Sequence, residues 1–279
     1  GFRTAVTKSK RGGFRFFRPD DLAVQLIQGL MKTLPALPAA RVDDVIVGNA
    51  VPEAEQGLQF GRMISARALG VDVAGITINR YCASGLESIA MATAKIRSGM
   101  ADCIIAGGTE SMSLVPTAGW KTVPSYEIAN NDPDYYLSMG LTAEAVAKEY
   151  TISRADQDAF AYASHQKAMT AQQENYFKDG ILPITVEEVY VNEKGKKATR
   201  SYVVDSDDGV RADTSIEALA KLKPAFAVDG SVTAGNSSQT SDGAAFVVVM
   251  SEKMMLELGL VPIGRLVNVA VAGVHPRIM

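Results

Sequence analysis

A chain of 279 residues exceeds one minimal domain, and 47% hydrophobic against 21% charged residues supplies the apolar surface for a sizeable core. A formal net charge of -3 with interspersed signs excludes a global attraction to nucleic acid or anionic membrane, so an anionic ligand must meet a local basic site. No apolar run approaches the ~20 residues of a membrane-spanning helix, and two cysteines are too few for a disulfide-stapled scaffold, so a soluble protein of a reducing compartment is expected.

Gly1-Phe2-Arg3-Thr4 reads as the exit from an element, and Gly273 to Met279 follows a strand-like run without a capping or polar tail, so both ends are expected to be cut. Three short β-type runs come first: Val45 to Val47 before Gly48, Ile76 to Ile78 before Asn79, and Cys103 to Ala106 before Gly107-Gly108. Helical stretches, Phe60 to Leu69 and roughly Ala83 to Arg97, separate them. This alternation predicts parallel strands joined by right-handed crossovers in an α/β layered domain, with ligands at the carboxyl ends of the strands. Ser111 to Ser138, with Pro116, Pro124 and Pro133, is loop-rich and reads as an insertion. A helix over Thr142 to Glu149 follows, then a long one capped by Ser153 with Asp156 in its first turn.

Ile184 to Tyr190 and Ser201 to Val204 flank Asn192-Glu193-Lys194-Gly195, a hairpin signal. After Pro224 the composition turns to Gly, Ser, Thr and Asn. The apolar run Ala244 to Met250 reads as a buried strand, followed by a helix over Glu252 to Leu258 and a strand over Arg265 to Val271. The core sheet is thus expected to resume after a separate α+β subdomain.

Cys82 lies where a strand gives way to a helix, in Ile78-Asn79-Arg80-Tyr81-Cys82-Ala83-Ser84-Gly85-Leu86, with Leu86, Ile89, Thr93 and Ile96 recurring at helical spacing. Exposed N–H groups and the positive end of the helix dipole favour a thiolate there, and the same N–H groups can steady an oxyanion. The alternative is a buried core thiol. Cys103, between Asp102 and Ile104-Ile105, reads as core. His165 and His275 read as surface or packing residues and offer Cys82 no evident base. No metal-type spacing occurs. Gly107-Gly108 lacks both phosphate-loop patterns and reads as a tight turn, and the segment around Ser238 reads by composition as a solvated connection.

Taken together, the segments resemble the thiolase family, in order, over essentially the whole chain. Asn79 to Leu86 is similar to the family's nucleophile motif, and Gly107-Gly108-Thr109-Glu110-Ser111-Met112-Ser113 to its Gly-x-Glu-Ser-Met-Ser signature. Met139 to Glu144 resembles the loop-domain motif, and Thr233-Ala234-Gly235-Asn236-Ser237-Ser238 the CoA-binding loop. Ser237-Ser238-Gln239, Asp242-Gly243-Ala244-Ala245 and Arg11-Gly12-Gly13-Phe14 point to the degradative 3-ketoacyl-CoA type, peroxisomal or bacterial.

The resemblance implies a layered thiolase fold: an N-terminal α/β/α domain in residues 1–110 and 231–260, an inserted α+β loop domain in 111–230, and the start of a truncated C-terminal domain in 261–279. It implies acyl transfer through a thioester on Cys82, with the backbone N–H of Cys82 as one oxyanion donor. It carries CoA contacts onto Arg211 at the adenine and phosphate end, onto Ala234 and Ser238 beside the pantetheine, and onto Met139 and Phe226 along the channel. CoA enters as substrate, with no permanent cofactor or metal. Acyl-CoA and CoA are the partners, with neither nucleic acid nor a transmembrane segment, and the assembly is a homodimer or homotetramer. The implied location is the cytoplasm of a bacterium or the peroxisome of a eukaryote.

The family's Gly-His-Pro histidine, second cysteine in Cys-x-Gly and Asn-Glu-Ala-Phe asparagine do not occur in the chain, and His275 matches none of them. The intact protein is therefore expected to be longer by about one domain. Ser138 stands where many relatives have histidine. Two other readings stay open: a synthetic acetoacetyl-CoA thiolase, and a non-catalytic acyl-CoA or lipid carrier of the same fold.

Overall fold

An apolar run buried on both faces needs strand neighbours on both sides, and in the computed structural model, which describes residues 1–279, the central runs find them in one sheet. The elements of the first part are β1 (Phe2–Arg3), β2 (Thr7–Lys8), α1 (Pro19–Lys32), β3 (Asp44–Gly48), α2 (Phe60–Leu69), β4 (Ala74–Ile78), α3 (Ser84–Arg97) and β5 (Cys103–Ser111). Then come α4 (Tyr126–Asn131), α5 (Met139–Glu149), α6 (Arg154–Gln173), β6 (Ile184–Val191), β7 (Lys197–Val204), α7 (Ile216–Ala220), β8 (Ser241–Met250) and α8 (Glu252–Glu257).

The sheet runs β1-β8-β5-β3-β4, with β2 also on β8. β3 pairs in parallel with β4 and β5, as the strand-helix alternation predicts. β8 lies antiparallel to β5, from Cys103↔Met250 to Ser111↔Asp242, and β1 and β2 lie antiparallel to β8, so the sheet is mixed. The parallel rule applies to strands joined by a helical crossover within the sheet, and β8 arrives after a long excursion instead.

The period of two along the strands builds two cores. Val45, Val47, Cys103 and Ile105 face one with Leu22, Leu26, Ile27, Phe60 and Ile64; Ile46, Ile104 and Ala106 face the other with Ala92. Helices α1 and α2 therefore cover one side of the sheet and α3 the other, an α/β/α sandwich. Each buried Leu or Ile contributes about 1.5–3 kcal/mol. Helix α1 starts with Pro19 and the acidic first turn Asp20 and Asp21, and Arg67 of α2 binds Asp20 (2.9 Å) and Asp21.

Several expectations need correction. Gly107-Gly108 is not a turn but the interior of β5. A Cβ at Gly107 would come within 2.0 Å of the Ala245 carbonyl oxygen, so the glycine there serves the close approach of β8. Helix α3 forms where the helical spacing places it, with Ser84, Ser88 and Ala92 buried, Leu86 58% exposed, and Ile89 and Ile96 bordering the second core. Arg265 to Val271 forms no strand, because no segment pairs with it and Val267, Val269 and Val271 stand exposed.

Compact packing divides the chain into two units: residues 1–120, 178–208 and 240–269, and residues 121–177, 209–239 and 270–279. The β6–β7 hairpin, in register from Ile184↔Val204 to Val191↔Lys197, lies in the first. Its turn is closed by Asn192 Oδ1, which accepts from the N–H groups of Lys194 and Lys196, and by Gly195 at φ +69°. The second unit is helical. Helix α6 carries the expected Ser153 cap, completed by Asp156 into a capping box, and Ser138 caps α5 by accepting from Leu141 N–H. No helix is long and apolar enough to cross a membrane.

Candidate active site

Cys82 lies two residues before the first turn of α3 and is exposed; Cys103, the other thiol, is fully buried in β5. Burial pushes the Cys103 thiol up to about 12, which removes it as a nucleophile at neutral pH.

The backbone around Cys82 is held tightly. Tyr81 adopts a left-handed φ of +47°, a conformation that costs a bulky L-residue roughly 1–2 kcal/mol and persists only where its surroundings impose it. Asn79 Oδ1 accepts from Tyr81 N–H at 2.7 Å, an Asx turn, and the Tyr81 carbonyl accepts from both Ser84 Oγ (2.6 Å) and Ser84 N–H (3.0 Å). The Ser84 hydroxyl also accepts from Arg80 N–H at 2.7 Å. Arg80 is in turn tied to Glu87 at 2.8 Å. Gly48, at the end of β3, lets α3 approach: a Cβ there would lie 2.6 Å from the Ser84 carbonyl carbon. The exposed thiol of Cys82 is thus presented at the carboxyl end of the parallel strands on a fixed, sharply turned loop just before a helix, a setting in which a thiol can act as a nucleophile.

Glu110, at the end of β5, is a partly buried carboxylate that accepts from Ala50 N–H and from Gln56 Nε2, both at 2.7 Å. Burial moves it above the ordinary range, against those hydrogen bonds. Asp242 of β8 is likewise raised by burial, while accepting from Ser113 N–H and from the Ser111 and Ser113 hydroxyls.

The other five predicted residues, Arg211, Ala234, Ser238, Met139 and Phe226, belong to the second unit and are all exposed. Met139 opens α5, and Phe226 lies against that first turn: a Cβ at Gly140 would fall 2.1 Å from its ring. Ala234 and Ser238 share one loop. Arg211 stands apart in sequence, and its backbone N–H is held by His165 Nδ1 of α6 at 3.3 Å, which gives that histidine a structural task the sequence does not reveal.

The loop bearing Ala234 and Ser238 is a built structure rather than a solvated connection. Glu144 of α5 accepts from Ser231 N–H (3.0 Å), Val232 N–H (2.8 Å) and the Ser231 hydroxyl (3.1 Å). Burial alone would raise its carboxyl, but the hydrogen bonds from Ser231 and Val232 outweigh it and hold Glu144 below the ordinary range. Asp158 of α6, nearly fully buried, accepts from Asn236 Nδ2 at 3.0 Å and pairs with Arg154 at 2.8 Å. Arg154 reaches on to the carbonyls of Leu219 and Leu222 at the end of α7. Asn236 Oδ1 accepts from the buried Thr233 N–H at 2.7 Å. Asn79, Glu110 and Glu144 enter the sequence reading only as members of quoted motifs, with no task assigned to them, and Asp158 does not enter it at all; Asn79 two residues before a turn is a recognisable Asx signal.

Comparison with known proteins identifies the family. Residues 1–253 match the family model described as thiolase, N-terminal domain. The whole chain is 49% identical to a 3-ketoacyl-CoA thiolase of Bacillus subtilis, spanning 71% of that protein, and 39% identical to the peroxisomal 3-ketoacyl-CoA thiolase of Homo sapiens, spanning 65% of it. The fold superposes on the crystal structure of the Bacillus anthracis acetyl-CoA acetyltransferase with a TM-score of 0.85 at 35% identity, covering 99% of this chain and 70% of that one.

Proposed function

Because the chain belongs to the thiolase family, we propose that it carries the nucleophile and the CoA-binding loop of a 3-ketoacyl-CoA thiolase, an acetyl-CoA C-acyltransferase of fatty acid β-oxidation. In this reading the Cys82 thiolate attacks the C3 carbonyl of a 3-ketoacyl-CoA. The C2–C3 bond breaks, its electron pair goes to C2, and protonation there releases acetyl-CoA. The sulfur of a second CoA then attacks the thioester on Cys82 and frees the shortened acyl-CoA. Two steps through a covalent intermediate replace one harder one, and the backbone N–H of Cys82 is read as one donor to the oxyanion formed in each. The proton donor to C2 belongs to the family's Gly-His-Pro and Cys-x-Gly motifs, neither of which occurs in these 279 residues.

Arg211 takes the phosphate end of CoA, matching guanidinium to phosphate. Ala234 and Ser238 line the pantetheine, and Met139 and Phe226 form the apolar wall. Segments 121–177 and 209–239, which interrupt the sheet-bearing unit, are the part of the inserted domain that this reading assigns to CoA. Homodimer or homotetramer is the assembly read here; the open edge of the sheet at β4, where Ile76 is exposed, supports self-association. The cytoplasm of a bacterium or the peroxisome of a eukaryote is the corresponding location.

The observation that carries the reading is the contrast between an exposed Cys82 on a strained strand-to-helix loop and a sealed Cys103. Mass spectrometry of the full-length protein quenched after mixing with acetoacetyl-CoA tests it, with an acetyl group expected on the Cys82 peptide and none on the Cys82→Ala protein. CoA binding without that adduct supports the carrier reading instead. The 35% likeness to an acetyl-CoA acetyltransferase keeps a synthetic acetoacetyl-CoA thiolase as the second reading, against 49% for the degradative relative. Activity across acyl chain lengths separates the two.

A further inference from the structure

A chain of short hydrogen bonds connects a buried carboxylate to the loop of the nucleophile, entirely within the sheet-bearing unit. Glu110 Oε2 accepts from Ala50 N–H (2.7 Å), the Ala50 carbonyl accepts from Asn79 Nδ2 (3.0 Å), and Asn79 Oδ1 accepts from Tyr81 N–H (2.7 Å). The chain thus runs from the end of β5, through the segment after β3, to the segment after β4, and ends on the left-handed residue that precedes Cys82. We propose that Asn79 and Glu110 are positioning residues for acyl transfer, which set the place of the Cys82 sulfur by fixing Tyr81 in its left-handed conformation. The proposal rests on Cys82 being the nucleophile.

The residue types fit the task. A side-chain amide is both donor and acceptor, so Asn79 spans the Ala50 carbonyl and the Tyr81 N–H at once. Glu110 must accept two hydrogen bonds from opposite sides, from Ala50 N–H and from Gln56 Nε2 (2.7 Å). Gln56 cannot turn its amide to suit a different partner. Its Oε1 already accepts from Ser111 N–H (2.6 Å) and its Nε2 also donates to the Val51 carbonyl (2.8 Å). Glu110→Gln therefore sets one amide NH₂ against one of two fixed donors, Ala50 N–H or Gln56 Nε2, and either way weakens the clamp that holds Ala50, and through it Asn79. A displacement of about 1 Å at a nucleophile is enough to slow a reaction by roughly 100-fold while leaving substrate binding intact.

The test uses the full-length enzyme with Asn79→Ala, Asn79→Asp, Glu110→Gln and the Asn79→Ala/Glu110→Gln double variant. Burst acylation, kcat, KM and the thermal midpoint are measured on each, with Cys82→Ala as control. Asn79→Ala and Glu110→Gln are expected to slow acylation and kcat by roughly 10- to 100-fold with KM within about twofold. Asn79→Asp keeps the acceptor for Tyr81 and is expected to fall between Asn79→Ala and wild type. The double variant is expected to be no slower than Asn79→Ala, since one path is broken only once. Unchanged kcat in folded Asn79→Ala, additive losses in the double variant, or a loss of the folded state in both single variants each overturns the proposal. A burst retained by Cys82→Ala sinks the nucleophile assignment itself, a separate outcome.

Discussion

The loop before α3 and the loop from Ser231 to Ser238 are both exposed, both fixed by hydrogen bonds, and fixed by different means. In the first, the backbone of Tyr81 is held by neutral groups close in sequence, Asn79 and Ser84, with Glu110 two links away and the Arg80–Glu87 pair beside them. The second is held by carboxylates from two helices, Glu144 and Asp158, whose partners lie 87 and 78 residues along the chain. Under the proposed reading the sulfur of Cys82 needs a defined position, and local bonds to the backbone of Tyr81 supply it. Under the same reading the second loop needs a rigid backbone; Glu144 takes the N–H groups of Ser231 and Val232, Asp158 the side-chain amide of Asn236, and Ala234 and Ser238 stay exposed.

The largest effects that sharpen this contrast concern the sulfur. Cys82→Ala in the full-length enzyme is expected to lower kcat by roughly 10⁴-fold or more, since the other thiol of these 279 residues, Cys103, is sealed in the core and cannot take its place. In the native wild-type chain at pH 8, iodoacetamide is expected to modify Cys82 and leave Cys103 intact. With its thiol pushed up to about 12, Cys103 is thiolate in roughly one molecule in 10⁴ at that pH, and the core shields it besides. Peptide mapping reads both sites, and comparable early labelling of Cys103 breaks the distinction drawn between them.

Next in size is the carboxylate of the second loop. Asp158→Ala leaves Arg154 and Asn236 without their shared partner, and breaking a mostly buried pair from one side costs about 3 kcal/mol. Chemical denaturation should show the loss, and amide exchange should show faster opening of residues 231–237. CoA affinity is expected to fall with it, whereas alkylation of Cys82 in the folded protein should keep its wild-type rate. A change confined to Cys82 reactivity contradicts the division of labour.

How much of this was legible in the sequence follows from the range of the interactions. β3, β5 and β8 show as continuous apolar runs because both faces of each meet a core, whereas the two-residue β1 and β2 carry no period at all. Helix α1 has Leu22, Leu26, Ile27 and Leu30 at helical spacing, yet it is absent from the elements read in the first third of the chain. Val267, Val269 and Val271 alternate as a strand should and form none, since alternation describes a surface and pairing needs a neighbour. Cys82 was legible as a residue at a strand-to-helix switch. The left-handed φ of Tyr81 was not, because nothing in a bulky aromatic residue announces it. Glu144 is legible as the end of the Met139 to Glu144 motif but not as the holder of a loop 87 residues on, and Asp158 looks in sequence like any helix carboxylate.

A smaller perturbation probes the first loop from below. Gly48→Ala places a methyl group 2.6–2.8 Å from the backbone and Cβ of Ser84, and the start of α3 has to move to admit it. The expected cost is about 2 kcal/mol in unfolding free energy, as for overpacking elsewhere. Because Ser84 closes the turn around Tyr81, acylation by the full-length variant should slow as well. CoA affinity should not change. A variant with normal stability and normal kcat means that β3 and α3 have slack between them, and that the close approach does not set the loop.

The smallest effect concerns pH. Glu144→Gln replaces one of two acceptor oxygens by an NH₂ group that faces the Ser231 and Val232 N–H donors, at a cost of about 1 kcal/mol at pH 7. Glu144 is held below its ordinary value near 4.5 in the folded state, net of a burial effect that acts the other way. The unfolded chain therefore binds the proton more readily. The stabilisation is full above that ordinary value and is lost as pH falls through the lower, folded one. The gap between wild type and Glu144→Gln in denaturation midpoint should thus be constant from pH 7 down to about 5 and narrow towards pH 3. Asn79→Ala, whose lost partners are all neutral, should show a gap from wild type without this acid collapse. Should the two gaps follow the same course with pH, the carboxylate-held and neutral-held loops would not differ in the way their hydrogen bonds require.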